Sequence, residues 1–409
     1  MSPLSNYALV TAAYWAFTLT DGALRMLVLL HFNALGYTPV QLAFLFLFYE
    51  FFGIVTNLLG GVLAARLGLK VTLTSGLLLQ VLALCALAAL QPGWSIPTSV
   101  AFVMGAQALS GVAKDLTKMS AKSFIKVLVP SDAQGALFKW VALLTGSKNA
   151  LKGVGFFLGG VLLSWLGFKG ALLAMAAVLA GVFLGAQASL PSGLGRTRTQ
   201  AKFTRMFSKN RAVNVLSAAR FFLFGARDIW FVVGVPVFLY SLGFGFAQVS
   251  AFLALWVIGY GVVQSFAPLL LRRWTGGAAP GGRSLPALGF LLAAVTAGIA
   301  AGLHQGLPPV ALILSGLALF GALFALNSAV HSWLILAYSD SDKVAMNVGF
   351  YYMSNAGGRL AGTLLSGLLF QRAGVPGCLW GSVVFAALAG ALAIGLPRAQ
   401  PANASASTD

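Results

Sequence analysis

The chain is a succession of apolar segments, each close to 20 residues long, that alternate with short polar connections. A helix of about 20 apolar residues is long enough to cross the hydrocarbon layer of a bilayer. Of the 409 residues, 59% are hydrophobic and only 8% are charged, whereas soluble domains carry roughly 25% charged residues. The sequence therefore predicts an all-α integral membrane protein.

Twelve segments are long and apolar enough to be membrane spans. Their predicted bounds are Tyr7–Leu30, Pro39–Ala64, Val71–Leu90, Ile96–Leu116, Phe138–Trp165, Gly170–Leu190, Val213–Tyr240, Ala247–Leu271, Leu285–Leu303, Pro308–Leu336, Val344–Phe370 and Val375–Leu396. An even number of spans brings both chain termini to the same side of the membrane.

The net charge of +18 is sorted by side. One set of loops is rich in Lys and Arg and includes Lys118 and the linker Gly195–Arg211, whereas the opposite set holds only Lys169 and Arg372. Basic loops stay in the cytoplasm, so both termini are predicted to be cytoplasmic. The charge is a topology signal, and no nucleic-acid partner is expected.

The two halves of the chain resemble each other at an offset of 207 positions. Asp21 then falls on Asp228 and Lys152 on Arg359, and the other matches include Gly36 with Gly243, Gln41 with Gln248, Arg66 with Arg273, Gly155 with Gly362, Gly160 with Gly367 and Gly167 with Gly374. Two parallel six-helix halves are the architecture of major facilitator transporters, whose substrate site lies between the halves. The predicted halves are residues 1–190 and 213–396, with a basic linker at 191–212 and a disordered tail at 397–409.

The segment GVLAARLGLK, between the second and third predicted spans, resembles the cytoplasmic gating loop of the same superfamily. Gly61, Arg66, Gly68 and Lys70 fit its pattern, but Ala65 stands where an acidic residue is usual. The alternative interpretation is a plain basic turn at a helix end.

Nine charged residues fall deep inside predicted spans, where a charge usually faces a cavity. The cations are Arg25, Lys148, Lys152, Arg220, Arg227 and Arg359, and the acids are Asp21, Glu50 and Asp228. Three cations therefore lack an acid, which predicts a cavity for an anionic small molecule. Asn149, Asn355 and Tyr352 are predicted to line it, with Asn327, Ser354, Trp230 and Tyr351 as further candidates.

The spacing of these charges predicts local pairs. Lys148 and Lys152 are four residues apart and share a helix face, as do Asp21 and Arg25, which we expect to form an intrahelical ion pair. Asp228 directly follows Arg227 and is expected to point away from it. Three alternatives are that Lys148 reaches the membrane surface, that Arg220 anchors the interface and that Glu50 is a structural carboxyl.

Asp21, Glu50 and Asp228 are also the candidate proton carriers, because they are the acids that lie deep in predicted spans. Asp115 lies at the inner end of span four, beside Lys114. Proton exchange is the usual drive in this superfamily.

Five segments look like those of the organoarsenical efflux permeases of the ArsJ type: NYALVTAAYWAFTLTDGALRMLVLLHF, FLFYEFFGIVTNLLGG, SGVAKDLTKMSAKS, LLTGSKNALKGVGFFLGG and LSAARFFLFGARDIWFVVG. The resemblance runs from about residue 6 to residue 396. It implies export of 1-arseno-3-phosphoglycerate across the bacterial inner membrane, arsenate resistance and a functional link to a glyceraldehyde-3-phosphate dehydrogenase.

Other functional classes remain as alternatives. A transporter that takes up or exchanges another organophosphate anion would need a similar basic cavity. A phospholipid enzyme is disfavoured because His31, His304 and His331 are scattered over unrelated spans without a catalytic or metal-ligand spacing. We expect no cofactor, no metal and a monomer in the lipid bilayer.

Overall fold

The computed structural model describes residues 3–128, 134–191, 210–274, 281–338 and 344–397. These residues fold into twelve helical elements: α1 (Pro3–Ala34), α2 (Pro39–Leu45), α3 (Leu47–Leu67), α4 (Leu69–Ala88), α5 (Ile96–Leu128), α6 (Gln134–Ser189), α7 (Arg211–Phe231), α8 (Gly234–Ser241), α9 (Phe246–Trp274), α10 (Ser284–His304), α11 (Pro309–Ala337) and α12 (Val344–Ala393). The predicted tail from residue 398 onward and most of the predicted linker (192–209) lie outside the described residues.

The elements and the membrane crossings do not correspond one to one. Helices α6 and α12 each contain two crossings, because the chain reverses at Gly167 (φ 67°) and at Gly374 (φ 60°). A positive φ costs glycine little, and it allows the sharp reversal. Helices α2 and α3 together form one crossing, as do α7 and α8, so the described residues make twelve crossings and the predicted all-α architecture is confirmed.

The outer surface of this bundle is apolar. Trp165 is 81% exposed, Leu255 is 69% exposed and Leu184 is 63% exposed. Nine helical stretches in the described part of the chain are long and apolar enough to cross a membrane; the two that bend at glycine each contain two crossings, so the nine stretches account for eleven crossings, and α1, which carries Asp21 and Arg25, is the twelfth and is not among them. Large apolar side chains on the outside suit a bilayer, where lipid replaces water as the surrounding medium.

Both ends of the described chain lie on one side, which we call the terminal face. There the Lys70 Nζ donates to the Leu190 carbonyl oxygen at 2.6 Å, and the Tyr338 hydroxyl donates to the Pro397 carbonyl oxygen at 2.7 Å. We call the opposite side, which carries the reversals at Gly36, Gly167, Gly243 and Gly374, the far face.

Matching contacts in the two halves confirm the repeat. The Gln41 Oε1 accepts a hydrogen bond from the Thr38 N–H at 2.8 Å, and the Gln248 Oε1 accepts one from the Gly245 N–H at 2.8 Å. Each glutamine fixes the start of the helix that follows a far-face turn. The residue boundaries of the two halves stay a prediction.

Candidate functional site

A cavity of about 210 Å³ lies between the helices of the two halves. It collects side chains from α1, α3, α5, α6, α7, α9, α11 and α12. Of the residues predicted for the site, those in its wall are Asp21, Arg25, Lys148, Asn149, Lys152, Arg220, Arg227, Asp228, Tyr352, Asn355 and Arg359. The structure thus brings together charges that are more than 300 positions apart in the sequence.

Close helix contacts at glycine position these side chains. A Cβ atom on Gly155 would lie 2.5 Å from the Leu19 carbonyl oxygen, and one on Gly358 would lie 2.0 Å from the Phe221 carbonyl oxygen. Only glycine allows α1 to approach α6, and α7 to approach α12, this closely. Lys152 and Arg359, each near one of these crossings, therefore reach the same cavity from opposite halves.

Five charged residues form a continuous chain of ion pairs across the two halves. The Arg25 Nη1 lies 3.2 Å from the Glu50 Oε1, and the Arg359 Nη2 lies 2.5 Å from the same oxygen. The Arg359 Nε lies 3.2 Å from the Asp228 Oδ2, and the Arg227 Nη2 lies 2.5 Å from the Asp228 Oδ1. Glu50 itself is fully buried behind the wall of the cavity.

These contacts correct two predicted pairings. Asp21 is not paired with Arg25; its Oδ1 accepts a hydrogen bond of 2.7 Å from the Tyr49 hydroxyl, while Arg25 is paired with Glu50. Asp228 does not point away from Arg227, because the long arginine side chain bends back onto its neighbour. In both cases partners on other helices or the reach of the arginine outweigh the helical spacing.

The wall holds a second charged group, which the sequence analysis did not assign to the cavity. Lys114, Asp115 and Lys118 come from α5, and the Asp115 carboxylate pairs with both lysines and accepts a hydrogen bond of 3.2 Å from the Asn57 Nδ2. We predicted that Lys118 lies in a cytoplasmic loop, but α5 continues to Leu128, so Lys118 is on the helix and faces the cavity.

Two cations in the wall have no carboxylate within 4.0 Å in the described part of the chain. The nearest ring to the Lys152 Nζ is that of Phe156, with its centroid at 5.7 Å. The Arg220 guanidinium donates to the Asn355 Oδ1 at 3.1 Å and to the Ser328 Oγ at 3.1 Å, and it stacks over Phe224 at 4.0 Å. These partners are neutral, and because Arg220 is only 5% exposed and lies in the cavity wall, it does not anchor the chain at the membrane surface.

The wall carries a surplus of positive charge. Over the described residues its cations are Arg25, Lys114, Lys118, Lys148, Lys152, Arg220, Arg227 and Arg359, and its carboxylates are Asp21, Asp115 and Asp228, with Glu50 directly behind. Among the described residues of the wall and Glu50, eight cations thus face four carboxylates, an excess of four positive charges. Charges in such surroundings are costly unless an anion or water reaches them.

The other predicted lining residues lie elsewhere. Asn327, Ser354, Trp230 and Tyr351 are not in the cavity wall. The Trp230 ring is buried against the rings of Trp256 and Phe320 at 5.3 Å each, so its role is in the packing of the C-terminal half. Gln264 and Ser332 are in the wall, although nothing in their sequence surroundings marks them.

On the far side of the ion-pair chain, the two halves pack backbone to backbone. A Cβ on Gly160 would lie 2.6 Å from the Phe246 carbonyl oxygen, and one on Gly367 would lie 2.5 Å from the Pro39 carbonyl oxygen. These two contacts are related by the same 207-residue offset. The Val40 N–H also donates to the Gln371 Oε1 at 3.3 Å, so the cavity is closed toward the far face.

The predicted gating loop is partly described. Gly68 adopts φ 87° between α3 and α4, a conformation that favours glycine, and Lys70 ties the start of α4 to the end of α6. The side chain of Arg66 and the surroundings of Gly61 lie outside the described residues. No group of three or more His, Cys, Asp or Glu that could hold a metal ion occurs among the residues described.

Comparisons with known proteins agree with this architecture. The sequence model described as "Major Facilitator Superfamily" matches residues 9–335. A mutant of the nucleoside transporter NupG superposes with a TM-score of 0.72 at 16% identity, covering 95% of this chain and 98% of that chain. A D-xylose-proton symporter superposes with a TM-score of 0.68 at 16% identity, covering 98% and 99%. No curated protein sequence matches the chain.

Proposed function

The chain belongs to the major facilitator superfamily and is a membrane transporter, and from that premise we propose that it exports an organoarsenical phosphate ester, 1-arseno-3-phosphoglycerate, across the bacterial inner membrane. Export would proceed by alternating access around the basic cavity and would confer arsenate resistance. The protein would act as a monomer with a glyceraldehyde-3-phosphate dehydrogenase that supplies the ester.

The surplus of four cations in the cavity wall is the observation that carries this proposal. A phosphate monoester carries about −1.5 to −2 charges near neutral pH, and the proposed substrate has a phosphate at one end and an arsenate at the other. Arginine forks bind such oxyanions in a bidentate manner, while lysines act as point charges. Lys152 and Arg220 are the principal proposed contacts, because neither has a carboxylate partner among the described residues.

Further binding residues are proposed around these two. Arg25, Arg227 and Arg359 carry N–H groups at the cavity wall beyond those used by Glu50 and Asp228, and Lys148, Asn149, Asn355 and Tyr352 complete the wall around the ligand. The mixture of charged and amide side chains suits a ligand with hydroxyl as well as oxyanion groups.

The direction of transport is supported by charge and by closure of the far side. The terminal face is proposed to be cytoplasmic because the Lys-rich and Arg-rich loops lie there. The cavity is closed toward the far face, so a ligand would enter it from the cytoplasm. The membrane potential favours export of an anion by about 2.3 kcal/mol per charge for each 100 mV.

Proton exchange is the proposed additional drive, with Asp21 as the carrier. Of the three predicted acids, Glu50 and Asp228 each pair with two arginines, whereas the described residues place no cation within 4.0 Å of Asp21. Its contact is the neutral Tyr49 hydroxyl, and it lies in the cavity wall. A carboxylate without a paired cation can take up and release a proton as the ligand leaves.

Inside-out membrane vesicles test the substrate. They are supplied with the dehydrogenase, arsenate and glyceraldehyde 3-phosphate, and accumulation of organic arsenic is measured with and without the transporter. Accumulation that requires the transporter and the dehydrogenase supports the proposal, as does arsenate resistance of a sensitive host only when both proteins are expressed. Transport of other organophosphates without this arsenic flux would favour the alternative, an organophosphate uptake or exchange transporter.

The same vesicles test the proton carrier. In Asp21→Asn, we expect transport to respond to the membrane potential but no longer to a pH gradient. The matched control is Asp115→Asn, which removes an acid that is already paired with Lys118, and its transport should keep the response to the gradient. A normal pH-gradient response in Asp21→Asn would exclude Asp21 as the carrier.

A further inference from the structure

Glu50 has an arrangement that the proposed function does not use. A single oxygen, Oε1, accepts from Arg25 of the N-terminal half and from Arg359 of the C-terminal half. The other oxygen, Oε2, is buried and has no hydrogen-bond partner among the residues that the structure describes. Glu50 thus lies outside the cavity wall, while both arginines that it holds lie in the wall.

The fold does not require a carboxylate at this position. The residue at the equivalent position of the C-terminal half is Val257, which is also buried at the cavity. A buried charge without a packing role is normally kept for a function. Glu50 therefore has to be explained by what its charge does to Arg25 and Arg359.

A carrier of anions faces a specific difficulty after it has released its ligand. To return, it passes through a closed state in which the arginines of the site are shielded from water, and an unpaired buried cation makes that state costly. A carrier whose site has no internal anion can return only with another ligand bound, which makes it an obligate exchanger. A carrier that supplies its own carboxylate can return without one.

We infer that Glu50 is this internal substitute for the ligand, and that it makes the protein a net exporter instead of an obligate exchanger. This inference rests on the proposed function, because it takes the ligand to be a phosphate-like oxyanion. When the ligand binds, its oxygens replace Glu50 on Arg25 and Arg359, and the link between the halves is released. When the ligand leaves, Glu50 binds both arginines again and neutralises them in the closed state.

Competition with the Glu50 carboxylate also has to lower the apparent affinity of the site for its ligand. Any ligand that binds Arg25 and Arg359 competes with a carboxylate that is always present, so the site binds less tightly than free arginines would. Removal of the carboxylate should therefore strengthen binding while it blocks the return of the empty carrier. A purely structural role for Glu50 predicts the opposite change in binding.

The test uses the full-length protein in proteoliposomes, with radiolabelled glycerol 3-phosphate as the probe. Net efflux is measured into buffer without anion, and exchange is measured into buffer that contains unlabelled glycerol 3-phosphate. For Glu50→Gln we expect net efflux to fall at least about tenfold, equivalent to 1.4 kcal/mol, while exchange continues and the KM for exchange falls. The control variant, Lys169→Met, removes an exposed charge of α6 near the far face, outside the cavity wall, and should keep the wild-type ratio of the two fluxes.

Each other outcome has a definite meaning. A Glu50→Gln protein that keeps net efflux, or that loses both fluxes with weaker binding, overturns the inference, as does wild-type protein that exchanges without net efflux. Wild-type protein that moves the probe in neither mode overturns the inference, because the site then does not accept a phosphate monoester, whereas the proposed export of the arsenic ester is tested separately by the inside-out vesicles. If Glu50→Gln does not purify as a folded protein, Glu50→Asp, whose shorter side chain moves the carboxylate away from the arginines, is expected to show the same loss of net efflux.

Discussion

Replacement of Lys152 by methionine is the most direct test of the proposed site. Methionine has a similar length and can occupy the same space beside Phe156, so the change removes the charge with little change in packing. Because no described residue forms an ion pair or hydrogen bond with the Lys152 Nζ, its removal leaves no partner unsatisfied. The free energy of unfolding should therefore stay constant or increase, since a desolvated cation is costly in the folded state.

The loss of ligand binding should be large. A hydrogen bond to a charged group contributes about 1.5–3 kcal/mol, and 1.4 kcal/mol corresponds to a factor of ten. We therefore expect the KM for the transported anion to rise by about 10- to 100-fold in Lys152→Met. The measurement is the concentration dependence of transport into inside-out vesicles, together with a thermal unfolding curve of the purified protein.

The matched control is Lys169→Met, which removes an exposed lysine from the same helix near the far face. Its KM should equal that of the wild type. A Lys152→Met protein with normal expression and an unchanged KM would refute the assignment of Lys152 to the binding site, and so would a variant whose thermal stability falls together with its activity.

Two further predictions concern closure of the far side. In a background without the two native cysteines, a short thiol cross-linker should join Val40→Cys to Gln371→Cys, because Val40 and Gln371 connect the halves at the far face. Transport should stop until the cross-link is cleaved by reduction, and full transport by the cross-linked protein would contradict this closure. Gly367→Val should reduce the cross-linking yield, because overpacking of a close contact costs about 1–3 kcal/mol, whereas Gly181→Val, with no atom within 4 Å of the added Cβ, should leave the yield unchanged.

The repeat is the part of the structure that the sequence predicted best. The 207-residue offset paired Gly36 with Gly243 and Gly167 with Gly374, and all four have positive φ at far-face reversals. Such positions can be predicted from the sequence because a turn with positive φ favours glycine independently of the rest of the fold. Hydropathy likewise predicted the twelve crossings, because the bilayer fixes the length of an apolar helix.

The partners of the charged side chains could not be predicted in the same way. Helical spacing favoured a pair between Asp21 and Arg25. In the folded chain the Tyr49 hydroxyl donates to Asp21 instead, and Arg25 donates to Glu50. The strength of such pairs on one helix is only about 0.2–0.5 kcal/mol, which a buried partner on another helix readily exceeds. Lys118 was misplaced for a different reason, since the apolar pattern ends several residues before α5 does.

The repeat also explains why Lys152 has no carboxylate partner in the described part of the chain, and it leads to a final prediction. The offset that relates the halves carries Glu50 to Val257 and Arg359 to Lys152, so the equivalent of the Glu50–Arg359 ion pair would join Val257 to Lys152. Val257 lies in the cavity wall, on α9. This helix packs closely against the part of α6 that carries Lys152, because a Cβ on Gly153 would lie 2.8 Å from the Ala254 carbonyl oxygen. One of the two equivalent positions thus supplies a carboxylate, Glu50, to an arginine of the opposite half, whereas the other, Val257, leaves Lys152 available to the ligand.

Val257→Glu should complete the missing pair. The new carboxylate is expected to bind Lys152, to raise the melting temperature and to compete with the transported anion, so that the KM rises by about tenfold or more, as for removal of a charged hydrogen bond. Val257→Gln, which has the same size without the charge, is the control and should change the KM much less. If Val257→Glu and Val257→Gln impair transport equally, the loss comes from bulk in the cavity wall, and the pseudo-symmetric pairing is wrong. The pairing is supported if only Val257→Glu impairs transport and if the two Val257 variants have the same KM once Lys152→Met is added. The ligand and the new carboxylate would then both bind to the charge of Lys152.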